Sequence, residues 1–129
     1  MSKWKRSAQF RLISMTLLAF SMWGGWTAYI NHNHGLTTSL ISGSAQGIQS
    51  AISTFFGTVF IEWLYKRFGH LKAGAFIVGT ITSANSLLIM LLLHYIVGTP
   101  EILLTIAPVI TMATLYCYSY AFSLSQPDT

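Results

Sequence analysis

Uncharged hydrogen-bonding side chains recur along residues 36–64 of this sequence. At about 100° per residue of an α-helix, six of them fall on one face together with Gly57: Ser39, Ser42, Gln46, Gln49, Ser50 and Ser53. We call this face the polar stripe. Its amides and hydroxyls could contact a polar headgroup or line a hydrated path. The alternative is that they only form hydrogen bonds with neighbouring helices.

A second polar cluster lies at residues 80–86 and contains Asn85. The simplest arrangement places Asn85 against the polar stripe, where it would add to a path-lining set of Gln46, Gln49, Ser50 and Ser53. A buried amide also fixes helix register, which is the structural interpretation of the same residue.

The basic residues form two groups: Lys3, Lys5, Arg6 and Arg11, and then Lys66, Arg67 and Lys72. Both groups flank apolar segments, so the positive-inside rule places them, and both termini, in the cytoplasm. We expect Lys66, Arg67 and Lys72 to meet the phosphate of a lipid headgroup. The net charge of +4 therefore indicates topology and membrane lipids as partners, and no nucleic acid is expected.

Other titratable residues suggest little chemistry. His32 and His34 form an H-x-H pair, and His94 is expected beside them with Glu101 on the outer surface, as a weak candidate for zinc or copper. We predict no metal and no cofactor. Glu62 precedes Lys66 by four residues, which predicts an interfacial ion pair and not a proton carrier.

Small residues repeat every fourth position on two segments: Gly43, Gly47 and Ala51, and then Ala75, Gly79 and Ser83. This spacing lets helices approach closely in a membrane. We expect both sets to be helix-packing faces, with the second set against the 36–64 segment.

Composition predicts an integral membrane protein. The chain is 53% apolar and 8% charged, and four segments, 12–30, 36–64, 73–97 and 102–122, are long enough to cross a bilayer. The predicted fold is all-α: one transmembrane domain over residues 1–129, a four-helix bundle of two hairpins with cytoplasmic termini. No acid/base pair or activated nucleophile is evident, so an enzyme is not expected.

The second half of the chain also resembles a known family. AFIVGTITSANSLLIML, HYIVGTPEILLTIAPVITMATLYCYSYAF and the earlier FIEWLYKRF are similar to segments of the GtrA-like small membrane proteins. The resemblance implies translocation of polyprenyl-phosphate-linked sugars across a bacterial inner membrane for cell-surface polysaccharide synthesis. The chain departs from the family pattern at the span end, where Glu62 lies near the position of the family's Asn-Arg pair.

Three functions follow from these features. The first is the handling of a lipid-linked or amphiphilic substrate, by flippase-type transport. The second is a non-catalytic accessory subunit of a larger membrane complex. The third is an oligomeric ion channel. A four-helix bundle fills its core with side chains, so each function implies a homo-oligomer or a partner.

Overall fold

The structure, a computed structural model, describes residues 2–126, apart from the side chain of Trp4. Four helices make up the chain: α1, Lys3–Ile30; α2, Leu36–Phe68; α3, Gly74–Val97; and α4, Ile102–Leu124. No strand occurs in this part of the chain, and the predicted all-α class is confirmed. The predicted cytoplasmic C-terminus includes residues 127–129, which lie outside the described residues.

Successive helices are antiparallel and joined by short loops. The loop after α2 places Lys66, Arg67 and Lys72 at the same end as the start of α1, and we call this the basic end. The loops that contain the 3-10 turn His32–His34 and Glu101 lie at the opposite end. We call it the histidine end, because His32 and His34 lie there, with His34 Nε2 at 3.2 Å from Glu101 Oε1.

Glycine lets α1 and α2 approach closely. A Cβ atom at Gly43 would lie 2.9 Å from the carbonyl oxygen of Gly24 and 3.0 Å from Cβ of Ala28. At Gly47 it would lie 3.0 Å from the ring of Phe20. The small-residue face of α2 is therefore occupied by α1.

The small-residue face of α3 packs against α4 at Gly79 and against both α2 and α4 at Ala75. A Cβ atom at Gly79 would lie 2.3 Å from the ring of Tyr118, which fills the space above this glycine. Ala75 is buried in a cluster with Ile61 and Leu64 of α2 and with Cys117 and Ala121 of α4. Ser83 is half-buried.

Two side chains, Trp26 of α1 and Asn31 directly after it, hydrogen-bond to α4 and its N-terminal end at the histidine end. Asn31 is fully buried and donates to Thr105 Oγ1 at 2.9 Å, while its Oδ1 accepts from the backbone N–H of Glu101 at 3.0 Å. The indole N–H of Trp26 donates to the Leu104 carbonyl at 3.3 Å. Pro108, four residues later in α4, has no N–H to offer that carbonyl, so α1 supplies the missing donor.

Polar and apolar residues are distributed unusually in this bundle. Six of its eight largest fully buried side chains are polar: His94, Gln46, Asn31, Thr27, Thr105 and Ser42. By contrast, large apolar side chains such as Leu17, Ile96 and Leu103 are more than half exposed. Of the helices in the described chain, α3 and α4 are long and apolar enough to cross a membrane by length and composition.

Candidate functional site

The polar stripe of α2 is mostly buried inside the bundle. Ser39, Ser42, Gln46, Gln49 and Ser50 are buried, whereas Ser53 is exposed. Along α2, Gln46 Nε2 donates to Gln49 Oε1 at 3.1 Å and to Ser50 Oγ at 2.8 Å. Gln49 Nε2 then donates to Ser53 Oγ at 2.9 Å. The stripe therefore forms a hydrogen-bonded series that runs from the buried interior to the surface.

His94 of α3 completes this series from the opposite helix. Its Nε2 lies 2.7 Å from Gln46 Oε1, and its Nδ1 lies 2.7 Å from Thr99 Oγ1. Thr99 Oγ1 is in turn 2.9 Å from Ser42 Oγ. We call the connected residues the polar chain: Ser42, Gln46, Gln49, Ser50, Ser53, His94 and Thr99.

The end of α3 determines where Thr99 lies. Gly98 adopts φ 77° and closes the helix in a left-handed conformation, which glycine reaches without a Cβ penalty. The Thr99 N–H then donates back to the His94 carbonyl at 2.9 Å, as in a Schellman motif. This turn folds Thr99 over the end of α3 and brings its hydroxyl to the imidazole.

The hydrogen-bond pattern assigns one proton of the His94 ring. Gln46 uses its amide N–H groups on Gln49 and Ser50, so it presents its carbonyl oxygen to His94. A carbonyl only accepts, and Nε2 must therefore carry a proton. Thr99 has a single hydroxyl proton. When the ring is neutral, Thr99 donates that proton to Nδ1 and accepts from Ser42 Oγ; when the ring is charged, Thr99 accepts from Nδ1 and donates to Ser42 Oγ.

The polar chain ends in a cleft between α2, α3 and α4. The cleft has a volume of about 240 Å³ and opens to the outside. Its polar side chains include Gln49, Ser53, Thr82, Asn85 and Ser86, and its apolar side chains include Ile52, Phe56, Phe60 and Ile89. The arrangement provides both a hydrogen-bonding surface and an apolar surface within one opening.

Asn85 lies in this cleft with Gln49 and Ser53, so part of the predicted path-lining set is brought together. However, Asn85 is exposed, and His94 is the α3 residue that hydrogen-bonds to the stripe. Gln46 and Ser50 are buried in the polar chain and do not line the cleft. Of the predicted path-lining residues, Gln46 and Ser50 are thus buried inside the bundle, whereas Gln49, Ser53 and Asn85 line the cleft.

The basic residues Lys66, Arg67 and Lys72 are exposed at the basic end and do not line the cleft. The Arg67 guanidinium lies 4.2 Å from the centre of the Trp63 ring, an arrangement typical of a cation–π contact. Their contact with a headgroup phosphate stays a prediction.

The predicted ion pair between Glu62 and Lys66 does not form among the described residues. Instead, Glu62 Oε1 accepts a hydrogen bond of 2.5 Å from the Tyr120 hydroxyl. Tyr116 and Tyr118 also bond to neighbouring helices, the first to Thr58 and the second to Thr80. The tyrosines of α4 therefore join helices in addition to any interfacial role, because alternate rings reach α2 and α3.

The histidines expected at one surface are separated. His32 and His34 are exposed at the histidine end, but His94 is fully buried, so its predicted surface position is wrong. His34 Nε2 pairs with Glu101 Oε1 at 3.2 Å. Within residues 2–126, no group of three or more His, Cys, Asp or Glu side chains is placed to hold a metal ion.

Sequence reasoning misplaced one important residue, His94, and missed another, Thr99. His94 is the only titratable side chain other than a tyrosine in α3, and that isolation in an apolar segment is itself a signal of a buried polar contact. Thr99 gave no comparable signal, because only the turn at Gly98 brings it to His94.

Comparison with known proteins adds no relative: no protein-family model, curated protein or solved structure matches this chain. The GtrA-like resemblance of the second half therefore stays a prediction. Function must be argued from the cleft and the polar chain themselves.

Proposed function

We propose that this protein is an integral membrane protein that binds an amphiphilic molecule in the cleft between α2, α3 and α4. The observation that carries the proposal is the composition of the cleft, which joins amides and hydroxyls to aromatic and aliphatic side chains. A molecule with a polar head and an apolar tail matches both surfaces.

The membrane part of the proposal is supported by the distribution of side chains. Large apolar residues cover the outside, while polar residues such as Gln46, His94 and Asn31 are fully buried. In water, so much exposed apolar surface would favour association or aggregation. In hydrocarbon the same surface is well solvated, and the buried polar groups find their partners inside the bundle.

The proposed orientation follows from charge. All seven Lys and Arg residues belong to α1, the end of α2 or the loop that follows it, and they cluster towards the basic end. By the positive-inside rule this end faces the cytoplasm, and the GtrA-like resemblance implies a bacterial inner membrane. All four helices span the bilayer in this arrangement, including α2, whose polar groups are shielded by α1 and α3.

Binding is favoured over a channel for a specific reason. Ser42 and Gln46 are fully buried and hydrogen-bonded within one chain. The part of the stripe nearer the histidine end is therefore packed inside the bundle, and Gln49, Ser53 and Gly57 are the stripe residues that line the open cleft. The proposed role is non-catalytic, and any translocation of the bound molecule would use this lateral opening.

Photo-crosslinking tests the proposal. The protein would be placed in lipid nanodiscs with an amphiphile that carries a diazirine in its tail, and the labelled residues would be mapped by mass spectrometry. We expect labelling near Phe56, Phe60 and Ile89 that an excess of the unlabelled amphiphile removes. Labelling of outward residues such as Leu92 should persist, because bulk lipid reaches them.

A matched pair of glycine variants makes this test specific. A Cβ at Gly57, in the cleft, has no atom within 4 Å, and the same is true at Gly25 on α1. Gly57→Phe would fill the cleft and abolish the competable labelling, whereas Gly25→Phe should leave it intact. Labelling that no competitor reduces, or that Gly57→Phe leaves unchanged, would refute the proposed binding site.

A further inference from the structure

The polar groups of the cleft carry no charge. Its hydrogen-bonding side chains are Gln49, Ser53, Thr82, Asn85, Ser86 and Tyr116, and no Asp, Glu, Lys, Arg or His of residues 2–126 lines it. The bound head must therefore be solvated by amides and hydroxyls alone. This restriction allows the class of the head to be deduced.

Several of these groups are already engaged within the protein. Both ends of the Gln49 amide are used, since Oε1 accepts from Gln46 and Nε2 donates to Ser53. The Thr82 hydroxyl donates to the Val78 carbonyl at 2.9 Å. Tyr116 is bonded to Thr58. The groups left for a ligand are therefore the second N–H of Gln49, the Ser53 hydroxyl proton, the Asn85 amide and the Ser86 hydroxyl, which together donate and accept.

A charged head is disfavoured at this position. Transfer of a charge into a low-dielectric site is costly unless an opposite charge compensates it. The next basic side chain along α2 is Lys66, six residues after Phe60 and hence about 9 Å further along the helix axis. Arg67 is engaged with Trp63. A phosphate or carboxylate in the cleft would have no counter-ion there.

The size of the cleft limits the head as well. Pockets for drug-sized ligands measure about 300–1,000 Å³, and this cleft measures about 240 Å³. It can enclose a small head and the first part of a tail, while the rest of the tail lies along the apolar surface outside.

From these observations we infer that the cleft binds an amphiphile whose head is small, uncharged and able both to donate and to accept hydrogen bonds, such as an alcohol, a glycerol ester or a carboxamide. The inference rests on the proposed function, since it describes the ligand of the same cleft. Asn85 is the residue that most determines this preference, because it is exposed in the cleft and offers two donors and an acceptor.

The test compares two probes that differ by one phosphate. A 1-monoacylglycerol and the corresponding 1-acylglycerol 3-phosphate would carry the same diazirine tail, in nanodiscs of phosphatidylcholine. For the native protein we expect competable labelling of the cleft by the monoacylglycerol to exceed that by the phosphate at least about tenfold, the equivalent of 1.4 kcal/mol.

Variants at Asn85 sharpen the comparison. Asn85→Lys supplies a counter-ion and should reverse the preference towards the phosphate, whereas Ala84→Lys, at the exposed neighbouring position outside the cleft, should not. Asn85→Leu, which introduces no charge, should lower labelling by the monoacylglycerol and bring the two probes close to equality.

The outcomes separate the inference from the proposed function. Equal competable labelling of the native cleft by both probes, or a preference for the phosphate, would overturn the uncharged head and leave the binding site in place. No competable labelling by either probe would count against the binding site itself, and the inference would fall with it.

Discussion

His94 Nε2 lies 2.7 Å from Gln46 Oε1 and joins α3 to α2 within the bundle. Both side chains are fully buried. Neither could find water if the contact broke, so each depends on the other for its hydrogen bond. The pair links the Thr99 turn at the histidine end to the part of the stripe that reaches the cleft.

A double-mutant cycle should detect this dependence. His94→Leu and Gln46→Leu each leave a buried polar group without its partner, at a cost of about 1–3 kcal/mol in the free energy of unfolding. The double variant should lose less than the sum, with a coupling energy of about 0.6–1.7 kcal/mol. Reversible unfolding in mixed micelles measures these differences.

Tyr95→Leu, at the position next to His94, is the control for this cycle, since Tyr95 is 79% exposed and does not belong to the polar chain. Its effect should be within about 0.5 kcal/mol. Strict additivity of the His94 and Gln46 substitutions would mean that the 2.7 Å contact contributes nothing to stability.

The same contact predicts which imidazole nitrogen is protonated. Because Gln46 presents a carbonyl oxygen, the neutral ring of His94 should exist as the Nε2–H tautomer. Nitrogen-15 NMR of histidine-labelled protein distinguishes the two tautomers by the shifts of the ring nitrogens. Gln46→Ala should remove the constraint, and a native His94 with an unprotonated Nε2 would contradict the assigned network.

Sequence reasoning predicted the fold well because the relevant signals are local. The four apolar segments correspond to four antiparallel helices, and the angular positions of Ser42, Gln46 and Gln49 define the buried face of α2. These features depend on helical periodicity and on the length needed to cross a bilayer.

The residue of α3 that contacts the buried face of α2 could not be deduced in the same way. Asn85 and His94 lie nine positions apart on α3. At about 100° per residue this separation is about 900°, which is two full turns and a further half turn. They therefore occupy opposite angular positions at different heights. Which one meets Gln46 depends on the relative rotation and translation of α2 and α3, and these are set by tertiary packing.

Adjacent glycines on α1 provide a matched test of the α1–α2 contact. A Cβ at Gly24 would lie 3.0 Å from the Gly43 carbonyl oxygen and 3.3 Å from Cα of Gly47, whereas one at Gly25 meets nothing within 4 Å. The obstacle at Gly24 is backbone, so Gly24→Ala must move one helix away from the other. We expect a loss of about 1–3 kcal/mol in unfolding free energy.

Gly25→Ala should instead leave stability unchanged or raise it by up to about 1 kcal/mol, because alanine favours the helical conformation more than glycine does. Unfolding of both variants under the same mixed-micelle conditions gives the comparison. Equal effects at the two positions would show that helix propensity, and not the approach of α1 to Gly43, determines the response.

The contact between Tyr120 and Glu62 yields the last prediction. The tyrosine hydroxyl donates to the carboxylate at 2.5 Å, and hydrogen bonds to charged groups contribute more than neutral ones. Tyr120→Phe should therefore lower the unfolding free energy by about 1–2 kcal/mol, whereas Glu62→Gln keeps an acceptor and should cost less. Lys66→Ala should change it by no more than about 0.5 kcal/mol, because the exposed lysine makes no ion pair with Glu62 in the described chain. If Lys66→Ala lowered the unfolding free energy as much as Tyr120→Phe, Lys66 would be the main partner of Glu62. The hydrogen bond from Tyr120 would then not be the contact that joins α4 to α2 near the basic end.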